Sequence, residues 1–562
     1  MARSRCDLRT LTSAIMVATS QCFSSSSTTS TTMTNAFTRA TTTKVTIPPG
    51  NIKAIADLEP QALWSQFATL SSIPRPSKQE EAVLSYIKSF ADERNLQWKQ
   101  DAVGNLVVFH PGCGQGKDAP AIIIQGHVDM VTEKNNDSQH NFETDPILLR
   151  RFQLDNGENW LGAKGTTLGA DNGIGVAAAL TLLDTPLNEG DDHHAPLPPL
   201  EALFTVDEET GLTGAADLDA TVLGLTGKTM LNLDTEEFGE LYVGCAGGGH
   251  TTISFPFSRG DGCVNGEETP DVVELRVDGL MGGHSGINIH EGRANAVLLC
   301  AAAAQAALRE EGVNLISITG GDKHNAIPRE AKALLAISNP EKTMSVMERI
   351  VEDYSSAFKE EYGNLETNLC VRIINTDGDT KKTPLDPASA SRLLSMLLAL
   401  PHGPLKFSHV IPNLVETSNN VASVTISDDD DTATILCSTR SSISPALEST
   451  RNRIESIASL AGATAEKSAK YPGWNPDMRS SLLQLSRGIF KEKLSRDPGV
   501  KAIHAGLECG LLIEKLGGDV DALSFGPTIE GAHSPDERIC IDTVEPFFEL
   551  VRDILARLAA VR

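Results

Sequence analysis

The chain has 562 residues, 40% apolar and 22% charged, the composition of an ordinary globular protein large enough for two cores. Its 74 acidic and 48 basic residues leave a formal net charge of −26, which argues against nucleic acid as a partner because phosphate binding needs a basic footprint. The longest apolar runs fall short of the roughly 18 residues a membrane-spanning helix needs, so no membrane partner is expected.

The first segment differs from the rest. Residues 1–44 carry Arg3, Arg5, Arg9, Arg39 and Lys44 but a single acid, Asp7, and residues 24–34 read SSSSTTSTTMT. Arg-rich, Ser/Thr-rich, acid-poor N-termini look like organelle transit peptides, the alternative being a disordered leader without an address. Residues 1–50 are therefore set apart from the fold. The expected location is the cytoplasm, or a mitochondrion or plastid if the leader is an address. The ten cysteines are scattered with no CxxC pair, which in a long chain reads as reduced thiols in an intracellular compartment.

From Leu58 the composition becomes globular. QALWSQFATLSSI and EEAVLSYIKSFADERN space their apolar residues by three and four, predicting helices, and GNLVVFHPG reads as a strand. The runs AIIIQG, EALFTV and TMLNLD then alternate with helix-like stretches such as GIGVAAALTLL. Continuous apolar strands between helices predict an α/β domain with a mainly parallel sheet covered on both faces. In the middle of the chain the style changes. VVELRVDGL and TATILCSTR alternate apolar and polar residues, and amphipathic helices, GRANAVLLCAAAAQAALREE and KTMSVMERIVEDYSSAFKEEY, lie between them. That is the pattern of an α+β domain whose sheet has one solvated face. The acidic SDDDD of residues 427–431 reads as a solvated hairpin turn, and His193 and His194 as an exposed loop. From YPGWNPD onward the α/β style returns. The expected organisation is thus a catalytic domain over 51–247 and 469–562, with an α+β lid over 248–468 inserted into it.

In open α/β sheets ligands bind beyond the carboxyl ends of the strands. Five segments place acids or imidazoles there. AIIIQG is followed by His127 and Asp129, ALFTV by Asp207, Glu208 and Glu209, and TMLNL by Asp234. DALSFGPTIEGA is followed by His533, with Asp536 close behind, and Asp171 stands in the glycine-rich turn before GIGVAAALTLL. A lone histidine there is usually structural and a lone aspartate before a helix is usually an N-cap. Five convergent cases are different, because carboxylates gathered at one rim are costly without cations. Imidazole with carboxylate suits zinc, with cobalt or manganese as substitutes. Taking His127, Asp171, Glu209, Asp234 and His533 as ligands, three carboxylates carry minus three and two divalent ions plus four. A bound hydroxide then brings the shell to neutral. Asp171 would bridge the ions, His127 and Asp234 would serve one, and Glu209 and His533 the other. Asp129, two residues beyond His127, lies on the same side of an extended chain and can accept the other ring N–H.

The motifs GHVDMV, GTTLGADNGIGVA, DEETGLTGA, LDTEEFGELYVGCAGG, GGHSGINIH, NAIPREA, VETSNN, YPGW, HAGLECG and GPTIEGAHSPDE resemble the M20 metallopeptidases, and among them the dipeptidase type. The resemblance runs from about residue 58 to the end. It implies a zinc-peptidase catalytic domain with an inserted lid, two zinc ions per chain, and hydrolysis of unblocked dipeptides, Xaa-His among them. It implies His127, Asp171, Glu209, Asp234 and His533 as metal ligands, Asp129 as the residue orienting His127, Glu208 as general base, and a cis peptide at Asp171–Asn172. In the lid, His284 of GGHSG would reach the substrate on closure or from a neighbouring subunit of a homodimer. Arg440 is the candidate clamp for the dipeptide carboxylate, since guanidinium suits bidentate recognition, and Asn419 would add a hydrogen bond. Arg440 as a solvated strand end and His284 as a turn residue are the alternatives. For His504 and Glu508, pocket lining and packing both stand open. The leader and the 258–271 loop have no counterpart in the pattern. A carboxypeptidase or an N-acyl amino acid deacylase on the same fold is the competing function.

Overall fold

The computed structural model describes residues 45–186, 196–260, 271–338, 340–376, 383–427 and 431–560. The leader up to residue 44, His193, His194, most of the 258–271 loop and the centre of SDDDD lie outside the described residues. Ordered structure begins before residue 51. The helix Pro49–Ile55 lies partly inside the segment set apart as leader, and Asn51 ties it down, donating to the Ile147 carbonyl (2.9 Å) and accepting from the Leu149 amide (2.9 Å).

Eight strands form the first sheet, in the order Gln97–Gln100, Leu106–His110, Leu200–Thr205, Ile122–His127, Thr229–Asn232, Asp521–Ser524, Glu240–Cys245, Gly499–Ile503. The four central strands are mutually parallel, while the hairpin at one edge and the pairing of Glu240–Cys245 with Asp521–Ser524 are antiparallel. Every residue of Ile122–His127 and of Leu200–Thr205 is buried, as a strand covered on both faces requires. Helix Ala170–Leu183 packs on Ile122–His127 and on helix Gln61–Leu70. Gly175 lets the same helix approach the end of strand Thr229–Asn232, because a Cβ there would sit 2.7 Å from the Leu233 carbonyl oxygen.

The chain enters a second sheet at Gly247–Pro256 and leaves it at Thr464–Tyr471, and these two strands pair antiparallel, side by side. Just below them the Cys245 and Trp474 backbones exchange two hydrogen bonds of 3.0 Å. All pairings in this nine-stranded sheet are antiparallel, and helices Ala296–Ala307, Pro340–Tyr362, Pro387–Ala399 and Ser444–Leu460 pack against it around its own apolar core. A small four-stranded sheet, Ile529–Glu530, Arg538–Cys540, Asn159–Ala163 and Leu149–Gln153, does the positioning. It holds the loop carrying His533 next to the loop leading to Asp171. Cys245, Cys300, Cys370, Cys437, Cys509 and Cys540 are free thiols, and no described helix is long and apolar enough to cross a membrane.

Candidate metal centre

The five proposed ligands converge on Asp171. Its Oδ1 lies 3.0 Å from His127 Nε2, which is also 3.3 Å from Asp234 Oδ1. Its Oδ2 lies 3.3 Å from His533 Nε2, which is 3.0 Å from Glu209 Oε2. One carboxylate thus presents one oxygen to each of two His/acid pairs. Ligand atoms of His127, Asp171 and Glu209 all fall within 4.8 Å of one another.

Local structure explains how each side chain arrives. His127 ends its strand after Gly126, where a Cβ would collide with Asn172 Oδ1 at 2.3 Å. Asn172 in turn donates to the Leu233 carbonyl (2.6 Å), so the turn before the helix is fastened to the strand that delivers Asp234. The Asp171–Asn172 peptide is cis. Asp129 Oδ1 stands 3.3 Å from His127 Nδ1, and the Asp129 carboxylate takes Ser77 Oγ–H at 2.7 Å and accepts the amides of Glu208 (3.1 Å) and Glu209 (3.2 Å). Asp207 turns away from the cluster at φ 50° and supports the turn, its carbonyl accepting from the Thr213 amide at 3.0 Å. His533 sits at φ 62°, in the region that disfavours a side chain.

The electrostatics call for cations. Hydrogen bonds with Asp171 and Glu209 push His533 up to about 11. Burial opposes charge on His127, but Asp234, Asp129 and Asp171 outweigh it and raise it well above its ordinary value. Burial, with the charges of Asp171 and Glu209, pushes Asp234 up to about 7 despite His127. Burial also lifts Glu208 well above the carboxylate range, and burial with Asp171 lifts Glu236 to about 8. Both imidazoles gain proton affinity where a ligand nitrogen would face a metal, Asp234 resists ionising, and Asp171, bonded to both imidazoles, is held well below its ordinary value. This donor set fits two divalent ions.

The cluster floors one end of a cleft of about 880 Å³. Asp171, Glu208, Glu209, Asp234 and His533 line it, as do Thr235 and Glu236, and apolar Ile287, Ile411, Leu414, Ile503 and Leu507 form other parts of its wall. His504 lines it as well, bonded through Nε2 to Ser418 Oγ at 2.7 Å.

Residues 276–364 match the M20 peptidase dimerisation domain. Over 506 residues the chain is 38% identical to the cytosol non-specific dipeptidase of Escherichia coli K12, covering 90% of this chain and 99% of that one. This chain belongs to the M20 family of metallopeptidases. The aminoacylhistidine dipeptidase of Vibrio alginolyticus has a similar structure, with a TM-score of 0.78 at 36% identity, covering 90% of this chain and 98% of that one.

The lid residues expected at the substrate do not reach the M20 cleft in this conformation. Asn419 is fully buried and spent, its amide donating to the Pro401 carbonyl (2.7 Å) and its Oδ1 accepting from Thr439 (2.8 Å). Its side chain is held inside the lid and is not among the residues that line the cleft. Arg440 is no solvated strand end. It is 8% exposed, donates to Tyr471 Oη at 3.1 Å, and leaves Nε without a partner. His284 accepts from the amides of Gly286 (3.2 Å) and Ile287 (2.9 Å), holding its own turn. A Cβ on Gly286 would stand 3.1 Å from His284 Cε1 and 3.2 Å from Arg440 Nε, so both side chains pack against this glycine.

Two residues that position the centre escaped the sequence reading. Glu537 accepts from the amides of Leu168, Gly169, Ala170 and Asp171 at 2.7, 2.9, 2.7 and 3.3 Å. Arg75, 2% exposed, donates to the carbonyls of Val128, Asp129 and Gly169. Glu537 thus grips the amide side of the segment leading to Asp171, and Arg75 ties its Gly169 carbonyl to the segment that follows His127. Glu537 was visible only as the last letter of SPDE, and Arg75 carried no signal beyond its flanking prolines. Glu508, left open between lining and packing, is fully buried below the cleft, accepting from Gln125 (2.5 Å) and Thr205 (2.7 Å).

Proposed function

We propose that the chain is a metal-dependent dipeptidase that hydrolyses unblocked dipeptides, Xaa-His among them. The observation that carries this reading is the divided Asp171 carboxylate, with a His/acid pair on each oxygen. His127, Asp234 and Asp171 would hold one ion, and His533, Glu209 and Asp171 the other, with zinc the favoured metal and cobalt or manganese as substitutes. Bound there, the ions supply an activated water and a polarised scissile carbonyl. Glu208 lines the cleft outside the ligand set and serves as the base. It takes the proton from the attacking water and delivers it to the leaving amine. The burial that raises its proton affinity suits it to carry that proton between the two steps. Asp129 keeps the His127 Nδ1 protonated, so that Nε2 carries the free lone pair. Arg440, for the substrate carboxylate, and His284, to point at the substrate where the oxyanion develops, would be brought in by lid movement or by a partner subunit.

Residues 51–247 with 469–562 form the catalytic domain in this reading, and 248–468 the lid through which a homodimer assembles. The competing carboxypeptidase or N-acyl amino acid deacylase separates in one assay. Zinc-loaded protein is offered free dipeptides, Xaa-His included, beside N-acetyl amino acids. Turnover confined to the blocked substrates refutes the dipeptidase reading, and full activity after exhaustive chelation refutes the metal.

A further inference from the structure

A free dipeptide differs from a blocked one by its α-ammonium group, two bonds from the scissile carbonyl carbon. An enzyme selective for free peptides needs an acceptor of negative charge close to its metal centre. The acids of the cleft can be taken in turn. Asp171, Glu209 and Asp234 are occupied as ligands and Glu208 as base. Glu237 is neutralised, accepting from Tyr242 Oη at 2.8 Å and from Lys501 Nζ at 2.5 Å. Glu236 lines the same wall, two residues beyond the ligand Asp234, and among the described residues its carboxylate has no hydrogen-bond or ion-pair partner. Its neighbour Thr235 also lines the cleft, is 8% exposed, and its buried Oγ1 has no partner either. A buried hydroxyl without a partner costs free energy unless a ligand supplies one.

We propose that Glu236 and Thr235 are the specificity residues that receive the substrate's α-ammonium. The carboxylate supplies the countercharge and the hydroxyl a second acceptor, immediately beside the metal centre. Deepening the dipeptidase reading, this assignment rests on it. It makes the Thr235–Glu236 pair the feature that would tell a free peptide from an N-acylated amino acid.

The test uses the zinc-loaded enzyme, L-alanyl-L-alanine, and its des-amino analogue propionyl-L-alanine. The analogue is scored by turnover or, where that is too slow, by its inhibition constant. Wild type should prefer the free dipeptide. In Glu236→Gln, kcat/KM for alanyl-alanine should fall about 30-fold or more, mainly through KM, as expected for a buried charge pair that loses one member. Values for propionyl-alanine should change less than about three-fold, and two zinc ions should remain by elemental analysis. Glu236→Asp should recover part of the preference, and Thr235→Val should lose a smaller part. An equal loss on both substrates, or loss of zinc, overturns the assignment while leaving the dipeptidase reading intact. A wild type indifferent to the amino group overturns both.

Discussion

The rim of the parallel sheet and the face of the lid were both expected to supply functional side chains, and only the rim delivers them to one point. His127 ends a strand of one sheet and Glu209 and Asp234 follow two others, while His533 sits on a loop braced by a smaller sheet and Asp171 at the kinked start of helix Ala170–Leu183. In the lid, Asn419 is consumed by packing, and Arg440 and His284 gather around Gly286. The rim is set by register within one body. The lid residues depend on how one body stands over another, which strand pairing within each does not decide.

Variants can sharpen or break that contrast. The largest effect should come from Glu208→Gln, lowering kcat by about 10²–10⁴-fold with both metals retained. Glu209→Gln should instead deplete one metal, and if metal analysis shows the reverse pattern the division of labour between these neighbours is wrong. Asp129→Ala should weaken metal affinity by about 10–100-fold, read by competition with a chelator. In the lid, Arg440→Ala should raise KM about ten-fold or more for dipeptides without changing metal content. Asn419→Ala should leave KM unchanged and cost about 1–3 kcal/mol of stability in urea unfolding, since it orphans the Pro401 carbonyl and the Thr439 hydroxyl. A KM effect at Asn419 would place it back at the substrate.

The smallest effect concerns acid. Burial lowers His402 from its ordinary 6.5 to about 4. The folded lid therefore keeps this ring neutral while the unfolded chain protonates it. Its contribution to stability is complete above pH 6.5 and is lost as pH falls toward 4. His402→Gln should flatten the stability curve in that window, and an unchanged slope would mean that the ring stays hydrated.

Much of the proposed centre was legible because four of the five residues followed a recognisable apolar run and Asp171 preceded one, and because strand ends in an α/β sheet converge. The lid's insertion was legible in the change from continuous to alternating strands. Arg75 and Glu537 were not, because their work is done on backbone amides and carbonyls, which have no letters. Asn419 shows the same limit. A polar residue in a promising motif says nothing of whether its hydrogen bonds are already spent.

Asp129 reaches Glu208 and Glu209 through their backbone amides and leaves their side chains untouched. The mount does not depend on what it carries. Exchanging either carboxylate for an amide should therefore leave the loop in place, so losses of turnover or metal at these two positions can be read as chemistry and not as collapse. The same independence leaves these two positions open to new side chains: a changed pair would inherit a placed loop, a finished cleft and a neighbouring imidazole.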